Sequence, residues 1–234
     1  MSGRDTVYVW VGRDTGGQPD PAAVLLRRAS ALLLAGARAE VLLTHDRAGR
    51  PVVRVDAATG PVELAVSVSR TAGLVVVAAR RSGAVGVDVE RVRPLPALAL
   101  ARRWFPPAEL AWLGDRPEAC RTVDFLRLWT AKEAVGKALG QGLRGGGLHR
   151  LMPPPGLPLR PVPGVETLRV GHPRLDQGLV LAVAARASTT VDVEVVQRPG
   201  HGVTAERSAS VERTSLPVVV RGNWSSRCSD RGRL

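Results

Sequence analysis

Gly73-Leu-Val-Val-Val-Ala-Ala-Arg80 and Gly178-Leu-Val-Leu-Ala-Val-Ala-Ala-Arg186 are near-copies of each other. Each is a short apolar run opened by glycine, the pattern of a buried strand. Outward from the first, strands are predicted at residues 7–11, 41–43 and 62–68, with a helix over 21–39 ending near Gly36 and a turn at 46–51. Outward from the second, a strand is predicted at 85–90 and short helices at 96–104 and 107–114. The strongest helix pattern covers 124–139 and is closed by Gly140 and Gly142. A loop rich in glycine and proline follows at 145–163, then strands at 165–170 and 179–185. Both series run strand, helix, strand, strand. The expected fold class is α+β: two similar α/β half-domains, residues 1–84 and 85–196, related by pseudo-twofold symmetry. Duplication explains the echo, and so does a valine-alanine composition shared by two buried strands. Under duplication a ligand belongs between the halves.

From 197 to 234 the periodicity dissolves into Ser, Gly and Arg, which predicts a basic, disordered tail outside the site. No apolar run reaches the roughly 18 residues that span a bilayer. The first residues lack a basic region followed by an apolar stretch, so a cytoplasmic location and no membrane contact are expected. Cys120 and Cys228 have no metal-ligand spacing and are expected as free thiols; the four histidines do not cluster.

A net charge of +12 raises the question of nucleic acid, but aromatic residues make up only 3% of the chain, too few for a base-stacking platform. Scattered arginines suit an acidic protein or a phosphorylated cofactor equally well. Among 33 basic residues only Lys132 and Lys137 are lysines, and both fall in the strongest helix. Where arginine is the default, a lysine suggests that a compact ammonium is wanted.

Asp88 and Glu90 stand two apart in Val85-Gly-Val-Asp-Val-Glu90, so both carboxylates leave one strand face while Val87 and Val89 fill the other. A hard cation would relieve their repulsion; an exposed strand end with Glu90 paired to Arg91 or Arg93 accounts for them as well. In Trp129-Thr-Ala-Lys-Glu-Ala-Val-Gly-Lys137 the spacing puts Trp129, Glu133 and Lys137 on one helix face. Such a glutamate–lysine pair is common on solvated helices, but Trp129 is a large apolar anchor, and Gly136, costly inside a helix, implies close approach. Three carboxylates and an ammonium around a divalent cation point to phosphoryl chemistry on a diphosphate.

Gly86-Val-Asp-Val-Glu90, followed by Phe125-x-x-x-Trp129-x-x-Lys132-Glu133-x-x-x-Lys137-x-x-Gly140-x-Gly142-Leu143, resembles the signature of the surfactin-type phosphopantetheinyl transferases. The resemblance extends over most of residues 1–196. It implies a monomer of two similar halves that moves the 4'-phosphopantetheine arm of coenzyme A to a serine of an acyl or peptidyl carrier protein. Such carriers serve fatty acid, polyketide or nonribosomal peptide synthesis. It further implies Mg2+ held by Asp88, Glu90 and Glu133, Glu133 as base, and Lys137 on the phosphates and leaving group. For the cofactor it implies Arg50 and Pro51 of Gly49-Arg50-Pro51, Arg28 near the 3′-phosphate, Lys132, and the serines Ser67 and Ser69. Glu109 matches a frequent glutamate of the family. One departure stands out: Val68 takes the place of the family's histidine in Ser-His-Ser, so Arg70 or the serines substitute for it, or that phosphate contact is lost. The alternative is a catalytically impaired relative that binds carrier protein or nucleotide. A nucleic-acid binder ranks last, because it leaves the carboxylates without a purpose.

Overall fold

A computed structural model describes residues 6–14, 19–34, 41–47, 49–57, 60–143, 146–156, 158–175, 178–186 and 192–197. The expected tail, apart from Gln197, and the end of the helix expected to 39 lie outside them.

The first half opens with β1 (Thr6–Arg13) and α1 (Pro21–Leu33). Asp20 caps α1, its carboxylate accepting from the Ala22 amide at 3.1 Å, and Pro21 fixes the first turn. A meander of β2 (Val41–His45), β3 (Pro51–Ala57), β4 (Gly60–Thr71) and β5 (Leu74–Arg80) returns antiparallel to β1. The second half begins with β6 (Val85–Arg91) and three helices, α2 (Ala97–Trp104), α3 (Pro107–Gly114) and α4 (Glu118–Ala138). A 3-10 turn at Gly147–His149 precedes β7 (Arg160–Val162), β8 (Val165–Gly171) and β9 (Leu179–Arg186). The strand orders, β1-β5-β4-β3-β2 and β6-β9-β8-β7, share one logic: the last strand of each meander pairs antiparallel with the opening strand. The near-copied runs are β5 and β9, and they occupy equivalent places. β10 (Asp192–Gln197) then crosses back and pairs parallel with β1, making the first sheet six-stranded.

Strand alternation sorts the chain into layers. On β5, Val75, Val77 and Ala79 pack under Leu25, Leu26 and Ala29 of α1, while Val76 and Ala78 face the second sheet. There they meet Val85, Val87 and Val89 of β6 and Leu181, Val183 and Ala185 of β9. Ala182 and Ala184 face the other way, into the core around α4. The order of layers is thus α1, sheet, sheet, α4.

Several elements differ from the expectations above. β3 was predicted only as the end of a turn, although Val53 and Val55 alternate into the core. α4 starts at Glu118, behind Pro117, instead of at 124. Its Asp124, within the helix rather than at its boundary, is nearly fully buried between Arg116 (2.8 Å), which precedes α4, and Arg127 (2.9 Å). Cys120 is buried and disulfide-bonded, not a free thiol. Among the described residues no helix is long and apolar enough to cross a membrane.

His172 ties the stretch before β7 to α4. Its Nδ1 accepts from the Gly156 amide (3.4 Å), so Nε2 carries the proton and donates to the Arg127 carbonyl (2.8 Å). Burial pushes this imidazole down to about 4 from 6.5. The unfolded chain therefore binds the proton more readily. Stability that is complete above about pH 6.5 should fall by about 3 kcal/mol as the pH drops to about 4. Denaturant midpoints at both pH values check this: in His172→Gln the acid loss should shrink by that amount relative to the parent.

Candidate active site

β6 meets α4 through a glycine. A Cβ on Gly86 would lie 1.9 Å from the Ala134 carbonyl oxygen, so only glycine lets the helix backbone rest on the strand here. That contact places Asp88, the next residue on this strand face, beside the turn of α4 that follows Ala134. Lys137 Nζ donates to Asp88 Oδ1 at 2.8 Å and to the Val87 carbonyl at 3.0 Å. Gly86→Ala should force strand and helix apart and cost about 1–3 kcal/mol, which equilibrium unfolding would measure.

The helix end depends on two more glycines. The Gln141 and Gly142 amides both donate to the Gly136 carbonyl at 3.0 Å, and a Cβ on Gly136 would fall 2.0 Å from the Gly142 oxygen. The close approach expected at Gly136 is therefore to the helix's own C-terminal turn. Gly140, at φ +70°, lies under the Arg50 guanidinium, whose NH1 is 2.2 Å from where its Cβ would be. Arg50 thereby reaches from the β2–β3 turn of the first half to the end of α4, while its Nε pairs with Asp46 at 2.6 Å.

An open cavity of about 430 Å³ is lined by Ser69 and Arg70 of β4, Asp88 and Glu90 of β6, and Trp129, Glu133 and Lys137 of α4, with Val68. Both halves contribute to it. Asp88 is buried, and burial pushes its carboxyl above the usual carboxylate range against the opposing effect of Lys137. Burial and then the Asp88 charge push Glu133 the same way. Trp129 stacks on Phe125 with centroids 6.1 Å apart, so it walls the cavity and anchors in the core at once. Glu90 accepts from Arg93 NH1 at 2.9 Å, the pairing anticipated as the alternative to metal binding.

Asp88, Glu90 and Glu133 present an all-oxygen donor set of the kind a hard divalent cation takes. Among the described residues no three acidic, histidine or cysteine side chains are already drawn together closely enough to grip an ion. The Lys137 ammonium stands in as the cation on Asp88. The donor chemistry fits a metal once the side chains close on it.

Of the expected cofactor contacts, Ser69 and Lys137 line this cavity, while Arg28, Arg50, Pro51, Ser67 and Lys132 do not. Lys132 is fully buried; its ammonium pairs with Glu109 Oε2 at 2.7 Å, donates to the Arg150 carbonyl and lies 4.8 Å from the Phe105 ring centroid. It faces α3 because one residue along a helix is a turn of about 100° from Glu133. Ser67 and Ser69 are buried and serve the strand: their Oγ atoms accept from the Val87 (3.1 Å) and Val89 (3.3 Å) amides, and Ser69 also donates to Asp88 Oδ1 at 2.7 Å. They cap the edge of β6 that has no partner strand. Arg28 is exposed on α1 and Pro51 opens β3 opposite His45; neither lines the cavity. Arg70 does, with its guanidinium held by Asp14 (2.8 Å) and Asp20 (2.7 Å). The Glu109 partnership and this clasp were not anticipated; the acidic first turn of α3 and the capping Asp20 were their available signals.

The strand and helix that carry the three carboxylates fall within one recognisable segment. Residues 84–155 match the model of the 4'-phosphopantetheinyl transferase superfamily. Over 72 residues the chain is 44% identical to a putative 4'-phosphopantetheinyl transferase, slr0495, of Synechocystis, covering 30% of this chain and 29% of that protein. Over 105 residues it is 31% identical to the 4'-phosphopantetheinyl transferase HetI of Nostoc, 44% of each chain. It is 34% identical over 68 residues to the 4'-phosphopantetheinyl transferase gsp of Aneurinibacillus migulanus, 29% of this chain and 28% of that one. The chain thus spans less than half the length of the curated relatives it matches.

Proposed function

We propose that this protein transfers the phosphopantetheine arm of coenzyme A to a serine of an acyl or peptidyl carrier protein, as a surfactin-type, Mg2+-dependent enzyme. The observation that carries this reading is the single cavity shared by Asp88, Glu90, Glu133 and Lys137, inside the segment that matches the superfamily.

In the reaction, the carrier serine oxygen bonds to the phosphorus next to the pantetheine. The bond from that phosphorus to the bridging oxygen breaks, and adenosine 3′,5′-bisphosphate leaves with the electron pair. Glu133 suits the role of base, a carboxylate on the cavity wall placed to take the proton of the serine hydroxyl. Lys137 sets an ammonium against the charge that develops on the leaving phosphate. Asp88, Glu90 and Glu133 would hold the magnesium ion, which supplies neutralisation of the diphosphate when bound. Ser69 aims Asp88 from behind. Arg70 lines the same cavity, but both its terminal nitrogens are paired with Asp14 and Asp20, so a phosphate there would share the guanidinium with those carboxylates.

Incubation with coenzyme A, magnesium and an apo carrier tests the proposal. The carrier should gain the mass of one phosphopantetheine arm, and an unchanged mass across acyl and peptidyl carriers refutes it.

A further inference from the structure

Asp88 Oδ1 accepts from two donors, Ser69 Oγ at 2.7 Å and Lys137 Nζ at 2.8 Å. Glu90 is likewise engaged by Arg93. The acidic cavity therefore carries its own positive charges, Lys137 on Asp88 and Arg93 on Glu90, on the carboxylates a divalent cation would use. The two donors to Asp88 differ in mobility. Ser69 is buried and also held by the Val89 amide, so it stays. The Lys137 side chain is 28% exposed at the cavity, so its ammonium has room to swing off Asp88 without leaving the site.

We propose that Lys137 is a displaceable counter-ion, released from Asp88 into the cavity when a divalent cation binds. The ammonium and the cation compete for one carboxylate, so without phosphates present the lysine weakens metal binding. Once displaced, the ammonium is free to meet phosphate oxygens. Metal loading and phosphate capture are then linked through one side chain. The freed ammonium's use rests on the transferase reading; the competition for Asp88 needs only the geometry.

Mn2+ alone, followed through the spectrum of the free ion, tests the competition without any turnover. Lys137→Met should bind Mn2+ about tenfold more tightly than the parent, because a neighbouring positive charge has been removed. Asp88→Asn should bind far more weakly than either. Coenzyme A should bind more weakly to Lys137→Met by calorimetry. Should Lys137→Met fail to fold, Lys137→Gln, which keeps a donor for the Val87 carbonyl, carries the same comparison. Equal or weaker Mn2+ binding in the neutral variants overturns the proposal, as does an absence of Mn2+ binding in every form. Arm transfer by the parent is read separately on the carrier's mass, so active enzyme with no Mn2+ gain in the variants sinks only the displacement idea. A clear Mn2+ gain with no transfer to any carrier sinks only the transferase.

Discussion

Alanine at Asp88 should lower arm transfer by about a thousandfold or more, the scale of losing a central electrostatic group, while the folded state survives. The two effects separate because Asp88 works against its surroundings. Its carboxylate is buried and its proton affinity raised even with Lys137 beside it, so removing the charge relieves a desolvated group. The neighbours keep other partners: Lys137 the Val87 carbonyl, and Ser69 the Val89 amide. Unfolding midpoints of parent and variant should agree within a few degrees. Undiminished transfer to an apo carrier would refute Asp88's part in the site.

Lys132→Ala should do the reverse, destabilising the protein by about 3–5 kcal/mol by stranding a buried partner charge. Glu109 is buried, with Oε1 accepting from the Met152 amide at 2.8 Å and Oε2 against the lysine. Burial pulls the Lys132 amine below the usual lysine range, against the opposing pull of the Glu109 carboxylate. Lys132→Met with Glu109→Gln should recover much of the loss, because both charges leave together. A cofactor role for Lys132 would instead leave the double variant stable with coenzyme A affinity reduced. Calorimetry on that variant, expected to match the parent, decides between them.

The carboxylates were legible because simple periods governed them. Alternation put Asp88 and Glu90 on the face of β6 opposite Val87 and Val89, and a four-residue step put Glu133 and Lys137 together. The near-copied runs likewise foretold equivalent strands. What stayed hidden depends on contacts between distant segments. Lys132 looked like a companion of Lys137, yet five residues along a helix is a rotation of about 140°, onto a different face. Ser67 and Ser69 have the right spacing to share a face, but only the packing of β4 beside the bare edge of β6 shows that they bond to amides. β3 was lost because its proline start reads as turn. β10 was lost because nothing local announces a parallel pairing with the opening strand.

That returning strand has a consequence for synthesis on the ribosome. β1 emerges first, with β5 to cover one side, but its other neighbour is β10, almost the length of both halves away. Until translation has passed Gln197, the nascent chain exposes a bare row of main-chain donors and acceptors along β1. The first half thus waits, with one edge of β1 open, for β10 to arrive.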